Sequence, residues 1–174
     1  MYEDKHCMID LETLGINPNA PIIQIGIVYF TLDGIYLSSQ INVDFEDALK
    51  HGKADGSTIK WWLQQSKEAQ DSLAKNERTA ADACEIMERL FFGQNANHYW
   101  SHASFDFPIL SSLFRSLNRS QPIQYKMMRD IRTLQALVPN MRWSERKTTH
   151  HNALADATYQ AENVIKMLKA LKGE

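Results

Sequence analysis

Two acidic residues, Asp10 and Glu12, lie in a segment that otherwise has the composition of a buried β-strand, Cys7 to Thr13. Side chains two residues apart on a strand extend from the same face. Two carboxylates side by side on a largely apolar strand repel each other and lose hydration, so they need a compensating positive charge. A divalent cation is the usual source of that charge, and the pair therefore predicts a metal site.

Further candidates for this site lie far downstream. Asp106 follows Ser104-Phe105, and Asp156 follows His151 by five residues. Five residues of regular helix turn two side chains about 140° apart, so His151 and Asp156 cannot both face one site from the same helix. We therefore predict that His151 lies in the loop before a helix and Asp156 in the second turn. A loop imidazole with a pKa near 6.5 suits a general base, and the adjacent His150 is easily mistaken for it.

Length and composition bound the class of protein. The chain has 174 residues, 44% hydrophobic and 23% charged, which fits a single domain over residues 1–174 with a sizeable core. No apolar run approaches the ~20 residues that span a bilayer, and the N-terminus lacks the apolar region of a secretory signal. The two cysteines, Cys7 and Cys84, are expected as reduced, buried thiols. These features predict a cytoplasmic protein with no membrane partner.

Charge is distributed unevenly along the chain. Residues 1–56 hold nine acids and three lysines, whereas residues 115–147 hold eight bases and two acids. A basic segment attracts a polyanion over a Debye length of about 8 Å, even where the whole chain is slightly acidic. A solvated basic face explains the same run of charges, and the sequence leaves both explanations open.

The hydrophobic pattern predicts strands first and helices later. The predicted strands cover residues 6–12, 22–30, 35–43 and 97–100, with a weakly signalled strand at 124–128. The predicted helices are one capped by Ser57-Thr58, one capped by Thr79, and those covering residues 106–117, 130–138 and 152–171. A strand meander followed by helices that alternate with single strands is typical of an α/β protein in three layers.

Three motifs together resemble those of the DEDDh 3′–5′ exonucleases, a family of the ribonuclease H-like superfamily. The motifs are Asp10-Leu-Glu12, Ser-Phe-Asp106 with Leu110, and His151-Asn-Ala-Leu-Ala-Asp156. Asp-x-Glu alone occurs often by chance, but the three motifs in this order are specific. The tryptophan pair at 61–62 places the resemblance nearest the phage-type and bacterial members.

The resemblance implies a fold and a chemistry. The implied fold is the ribonuclease H-like one, a central mixed five-stranded sheet flanked by helices, with the first three strands antiparallel. Asp10, Glu12, Asp106 and Asp156 would hold two Mg²⁺ or Mn²⁺ ions, hard cations that prefer oxygen ligands. His151 would take the proton of the attacking water. The implied reaction removes 5′-mononucleotides from the free 3′ end of single-stranded RNA or DNA.

The resemblance also implies contacts with the terminal nucleotide. The candidates are Leu11, Thr13, Leu14, Gly15, Trp61, Trp62, Gln65, Phe105, Arg129 and Arg132. Adjacent helical residues diverge by about 100°, so one tryptophan is expected in the core and the other against a base, with Gln65 on the face of Trp61. Phe105 either stacks on a base or packs in the core. The two arginines either bind phosphate or pair with acids.

One departure from the family pattern is visible at Ser101 and His102, where many members carry an asparagine at one of the two positions. The departure concerns substrate contacts beside Asp106 and leaves the metal ligands intact. An inactive nucleic-acid binding module of the same fold is the alternative function, and a nucleotide phosphatase using the same metals is a third. Many family members are homodimers, so a second copy of the chain is a possible partner.

Overall fold

The structure, a computed structural model, describes residues 4–145 and 151–173, and a five-stranded mixed sheet forms its centre. The strands are β1 (His6–Thr13), β2 (Ile22–Thr31), β3 (Gly34–Asn42), β4 (His98–Ser101) and β5 (Met128–Asp130). The order across the sheet is β3-β2-β1-β4-β5. The first three strands pair antiparallel, and β4 and β5 join them in parallel with β1. The predicted α/β fold with a mixed five-stranded sheet is confirmed.

Helices cover both faces of this sheet. They are α1 (Phe45–Lys50), α2 (Gly56–Trp62), α3 (Lys67–Leu73), α4 (Ala80–Gln94), α5 (Asp106–Ser116), α6 (Ile131–Leu137) and α7 (Ala153–Lys172). One apolar cluster joins Ile9 to α4 and α5, and a second joins Met8 to α6 and α7. Neighbouring β1 residues therefore serve opposite layers, because strand side chains alternate between faces. By this alternation Asp10 and Glu12 share the Met8 face, the one that α7 covers.

The sheet opens where β1 and β4 separate. Their parallel ladder runs from His6 opposite His98 to Met8 opposite Trp100, and ends there. Beyond Met8, β1 continues to Thr13 beside β2 alone. Crevices of this kind, at the carboxyl ends of parallel strands, are where open α/β sheets bind ligands. The acidic pair of β1 lies in the part of the strand that borders this opening.

Several sequence predictions about local structure were wrong. The Ser57-Thr58 cap is not formed: α2 begins at Gly56 after Asp55, whose carboxylate is instead bound by the amide of Ile16 at 3.0 Å. The predicted strand at 124–128 is a 3₁₀ turn over Tyr125–Met127, and β5 begins only at its end. Helices α1 and α3 were not predicted. Both are short, and such short helices depend on packing more than on propensity.

The two cysteines are free and buried, the reduced state expected from the sequence. Burial raises the pKa of the Cys84 thiol to about 12, so this group stays protonated at neutral pH. Within residues 4–145 and 151–173, no helix combines the length and the apolarity needed to cross a bilayer.

Gly26 allows the start of α7 to lie directly on the sheet. It pairs with Asp10 across the β1–β2 ladder. A Cβ at this position would stand 2.1 Å from the carbonyl oxygen of Ala153, the first residue of α7. Only a glycine permits this approach of helix backbone to strand backbone, so Gly26 sets how closely α7 approaches the acidic pair.

We expect Gly26→Ala to lower the free energy of unfolding by about 1–3 kcal/mol or more, because the added methyl forces α7 away from β2. The measurement is urea denaturation. Gly93→Ala is the matched control: Gly93 lies exposed in α4 with no atom within 4 Å of its would-be Cβ, so alanine there should be neutral or stabilising by up to about 1 kcal/mol. Equal effects of the two substitutions would contradict the packing described for Gly26.

Candidate active site

Three of the candidate residues meet at the start of α7. One ligand atom from each of Glu12, His151 and Asp156 lies within 4.8 Å of the others. Asp156 is the fourth residue of α7, in its first turn and not in the second as predicted. His151 lies before the helix, as predicted, in the left-handed conformation with a φ of 61°, and its main-chain amide donates to Asp156 Oδ2 at 3.2 Å. The left-handed backbone at His151 departs from the helical path, so His151 and Asp156 lie together although a continuous helix would separate them. His150 lies outside the described residues.

Asp10 is bound to α7 by a side chain that the sequence reading missed. Gln160 Nε2 donates to Asp10 Oδ1 at 2.6 Å, and both residues are buried. Gln160 follows Asp156 by four residues, so the two side chains share one face of the helix. One turn of α7 therefore holds Asp10 through an amide and brings a carboxylate beside Glu12. The signal was available in the sequence as a polar residue one turn after a candidate ligand on an otherwise apolar helix face.

Asp106 reaches the same strand from α5. Its side chain is 2% exposed, and its Oδ2 accepts from the main-chain amide of His102 at 2.9 Å. It also accepts from the main-chain amide of Leu11, the residue between Asp10 and Glu12. Burial raises the pKa of the Asp106 carboxyl to about 7 despite these hydrogen bonds. A cation bound beside this carboxyl would lower its pKa and favour the charged carboxylate.

A network of side-chain amides fixes the position at which α7 begins. Gln24, the partner of Glu12 in the β1–β2 ladder, accepts from the amide of Ala153 through Oε1 at 2.7 Å. Its Nε2 donates to Asn42 Oδ1 at 2.9 Å, an oxygen that also accepts from Gln40 at 3.1 Å. Asn152, which caps α7, donates to Gln40 Oε1 at 3.0 Å. The loop residue His151 is thus followed by two residues that are tied to β2 and β3.

The tryptophan pair divides its roles between core and site. Trp62 is 6% exposed, and its indole Nε1 donates to the carbonyl of Thr13 at 2.9 Å, which joins α2 to the end of β1. Trp61 is 39% exposed, and its ring meets the His151 ring edge-on at a centroid distance of 4.6 Å. The prediction that one tryptophan is core and the other is available is consistent with this arrangement, and Trp61 is the available one.

A cavity of about 370 Å³ lies beside the acidic cluster. Its lining combines the end of β1 and the following loop with one side of α2 and the residue before α5. The lining residues are Leu11, Glu12, Thr13, Gly15, Ile16, Ser57, Thr58, Trp61 and Phe105. Phe105 both lines this cavity and packs against the core, so the two roles considered for it are compatible. The sequence analysis took Ser57 and Thr58 for a helix cap and did not predict that they line a cavity.

Several predicted contact residues do not line this cavity. Leu14 is buried in the apolar core, and Gln65 Nε2 donates to the main-chain carbonyl of Trp61 at 2.9 Å. Arg132 pairs with Asp130 at 3.3 Å, the ion-pair alternative considered for it. Arg129 donates to main-chain carbonyls, including that of Met128 at 2.8 Å. The sequence could not distinguish these local contacts from substrate contacts, because both use the same polar groups.

The donor set fits a hard divalent cation. Carboxylate oxygens of Glu12 and Asp156 lie with an imidazole in one small volume, and hard cations such as Mg²⁺ and Mn²⁺ prefer oxygen ligands. Asp10 and Asp106 are not in this group of ligand atoms: Asp10 shares a strand face with Glu12 and is bound by Gln160, and Asp106 accepts from the amide of Leu11 on the same strand. Carboxylates gathered in a partly buried volume need the positive charge that a cation supplies.

In sequence, this chain matches a family model and resembles a phage enzyme. A family model described as the 3′-5′ exoribonuclease Rv2179c-like domain matches residues 5–168. An exodeoxyribonuclease of Enterobacteria phage T4 is 27% identical, over 72% of this chain and 68% of the phage protein. The range matched by the family model includes all five residues of the candidate site.

Solved structures with low sequence identity share the fold. The nuclease domain of 3′hExo, a DEDDh family member bound to rAMP, has a TM-score of 0.72 at 14% identity, covering 97% of this chain and 94% of that one. Pop2p of S. pombe, in its Mg²⁺- and Mn²⁺-bound form, has a TM-score of 0.66 at 16% identity, covering 94% and 82%. These likenesses confirm the fold inferred from the motifs.

We expect Gln160→Leu to weaken Mn²⁺ binding by about 10-fold or more, because partners that orient a metal ligand typically contribute that much to affinity. Isothermal titration calorimetry on the folded protein measures the effect. Gln135→Leu in α6 is the control, since it makes the same substitution on a half-buried helical residue outside the site. Unchanged affinity in Gln160→Leu would show that the hydrogen bond to Asp10 does not position a ligand.

Proposed function

This chain belongs to the family of the 3′-5′ exoribonuclease Rv2179c-like domain and is a 3′–5′ exonuclease, and on that premise we propose how it acts. Its substrate is the free 3′ end of single-stranded nucleic acid, and its product is a 5′-mononucleotide. Four acids would hold two divalent cations, and His151 would act as the general base of the hydrolysis. The observation that carries this proposal is the convergence of Glu12, His151 and Asp156 within 4.8 Å beside a cavity with aromatic walls.

Asp10, Glu12, Asp106 and Asp156 are the residues that would hold Mg²⁺ or Mn²⁺. Ions bound there supply Lewis-acid stabilisation of the phosphate charge and lower the pKa of a bound water. The solved Pop2p carries both ions, which supports this choice of metal. The protein contributes by fixing the ligands: Gln160 restrains Asp10, and the amides of Leu11 and His102 restrain Asp106.

His151 is the proposed general base and would take the proton of the attacking water. Its ring is held against Trp61, and its main-chain amide is bound to Asp156. These contacts orient the ring toward the carboxylate cluster without making it part of a regular helix. A general base acts best when its pKa is near the working pH, a condition that an imidazole meets near neutrality.

The cavity beside the acids is suited to one terminal nucleoside. Trp61 and Phe105 provide aromatic surface for a base, and Ser57 and Thr58 provide hydroxyls for polar contacts. Aromatic stacking needs an exposed base face and contributes about 1–3 kcal/mol per base. A base paired within a duplex does not offer that face to the protein, which supports a single-stranded 3′ end as the substrate.

We expect purified protein with Mn²⁺ or Mg²⁺ to shorten a 5′-labelled single-stranded oligonucleotide from its 3′ end, giving a ladder on a denaturing gel. EDTA and Asp10→Ala should each abolish the ladder, because both remove metal from the site. Matched RNA and DNA strands are assayed in parallel, because the family is described as an exoribonuclease domain and the phage relative as an exodeoxyribonuclease. Metal-dependent binding without any shortening of either strand would favour an inactive binding module instead.

We expect His151→Ala to lower kcat by about 10²–10⁴-fold, the usual contribution of a general base, and to leave Mn²⁺ affinity within about twofold. Single-turnover kinetics and calorimetry measure the two quantities. His98→Ala is the control, because His98 lies at the opposite end of β4 from the crevice. An equal loss of metal binding in His151→Ala would make this residue a ligand rather than a base.

A further inference from the structure

A second cavity, of about 450 Å³, lies next to the first along α5. Its lining residues are Pro18, Asn19, Pro108, Ser111, Ser112 and Arg115. The same two chain segments build both cavities: the loop between β1 and β2, and α5 with the residue before it. Ile16 and Phe105 line the first cavity. The lining of the second cavity begins two residues later at Pro18 and three residues later at Pro108. The two cavities therefore follow one another in a common direction.

The lining of the second cavity suits an anion. It contains one cationic side chain, two hydroxyls and one amide, and no acid. The main chain beside Asn19 is held by Lys53, whose amide donates to the carbonyl of Asn19 at 2.9 Å. Arg115 is therefore the charged side chain of this lining, and its charge is positive.

Arg115 differs from other arginines of the basic segment identified in the sequence. Arg119 pairs with Glu88 at 2.6 Å, and Arg132 pairs with Asp130 at 3.3 Å. Within residues 4–145 and 151–173, the Arg115 guanidinium makes no ion pair and no hydrogen bond, and its side chain is exposed. A cation left unpaired at the wall of a cavity is available to a ligand carrying negative charge.

We propose that this second cavity, which extends the proposed exonuclease site and rests on that function, holds the backbone of nucleotides upstream of the scissile bond, with Arg115 on a phosphate. Ten residues of helix separate Phe105 from Arg115, a length of about 15 Å. At the ~3.4 Å spacing of stacked nucleotides in one strand, this length corresponds to about four nucleotides. Arg115 then acts on long substrates and lies out of reach of a dinucleotide.

The test compares an eight-nucleotide strand with a dinucleotide of the same sequence at the 3′ end. We expect Arg115→Glu to raise the ratio of the KM for the longer strand to the KM for the dinucleotide by 10-fold or more, and Arg115→Lys to restore most of it. With Arg115→Ala, the slope of log affinity for the longer strand against log salt should fall by about 0.7, the value for one lost phosphate contact on a single strand.

Arg89→Glu is the control, because Arg89 is exposed on α4, pairs with Glu85 and lines neither cavity. It should leave the KM ratio and the salt slope unchanged. Thermal unfolding of each variant verifies that the fold is retained. A KM ratio for Arg115→Glu equal to that of the unsubstituted protein overturns the proposal and assigns the groove no role in strand binding. Turnover of the dinucleotide reports on the exonuclease site alone. If the proposed function is wrong, no variant and no unsubstituted protein will turn over the dinucleotide.

Discussion

The contact of the first turn of α7 with β2 is the constraint on which the site depends. At this contact the amide of Ala153 donates to buried Gln24, and the glycine at position 26 leaves no side chain between helix and strand. Asp10 and Glu12 of β1 face the layer that contains α7. The spacing between this helix and the sheet therefore sets how near Asp156 comes to these two acids. If α7 lay further from the sheet by the size of a methyl group, Asp10 and Glu12 would lose their neighbours Gln160 and Asp156. They would then be buried without these two neighbours, which has a high desolvation cost.

The site concentrates features that oppose stability. Burial raises the pKa of Asp106 to about 7, and His151 adopts the left-handed backbone that non-glycine residues rarely occupy. The surrounding structure compensates with hydrogen bonds from main-chain amides and with a buried network of Gln and Asn side chains, in which Gln24 and Asn42 are central. Local conflict within a well-packed frame is typical of functional sites, because ligand binding supplies the missing interactions.

Much of the fold and of the candidate site could be predicted from the sequence, and the reasons are physical. Alternation along a strand places Asp10 and Glu12 together, and the spacing from His151 to Asp156 already required a break in the helix. Gln160 and the amide network were missed because their partners are distant in sequence and no local pattern marks them. The capping of α2 was misjudged since Asp55 binds a loop amide instead. Whether an arginine meets an acid or a ligand, as for Arg115 and Arg132, depends on tertiary neighbours alone.

The order in which the chain supplies the site has a consequence for its synthesis. Asp10 and Glu12 are on the first strand, Asp106 begins the fifth helix, and His151 and Asp156 come with the last helix described. Translation delivers these groups in that order, and helix α7 leaves the ribosome after every element that it packs against. A growing polypeptide therefore lacks His151 and Asp156 until α7 has been made, so the candidate site is assembled only when this helix docks on the sheet.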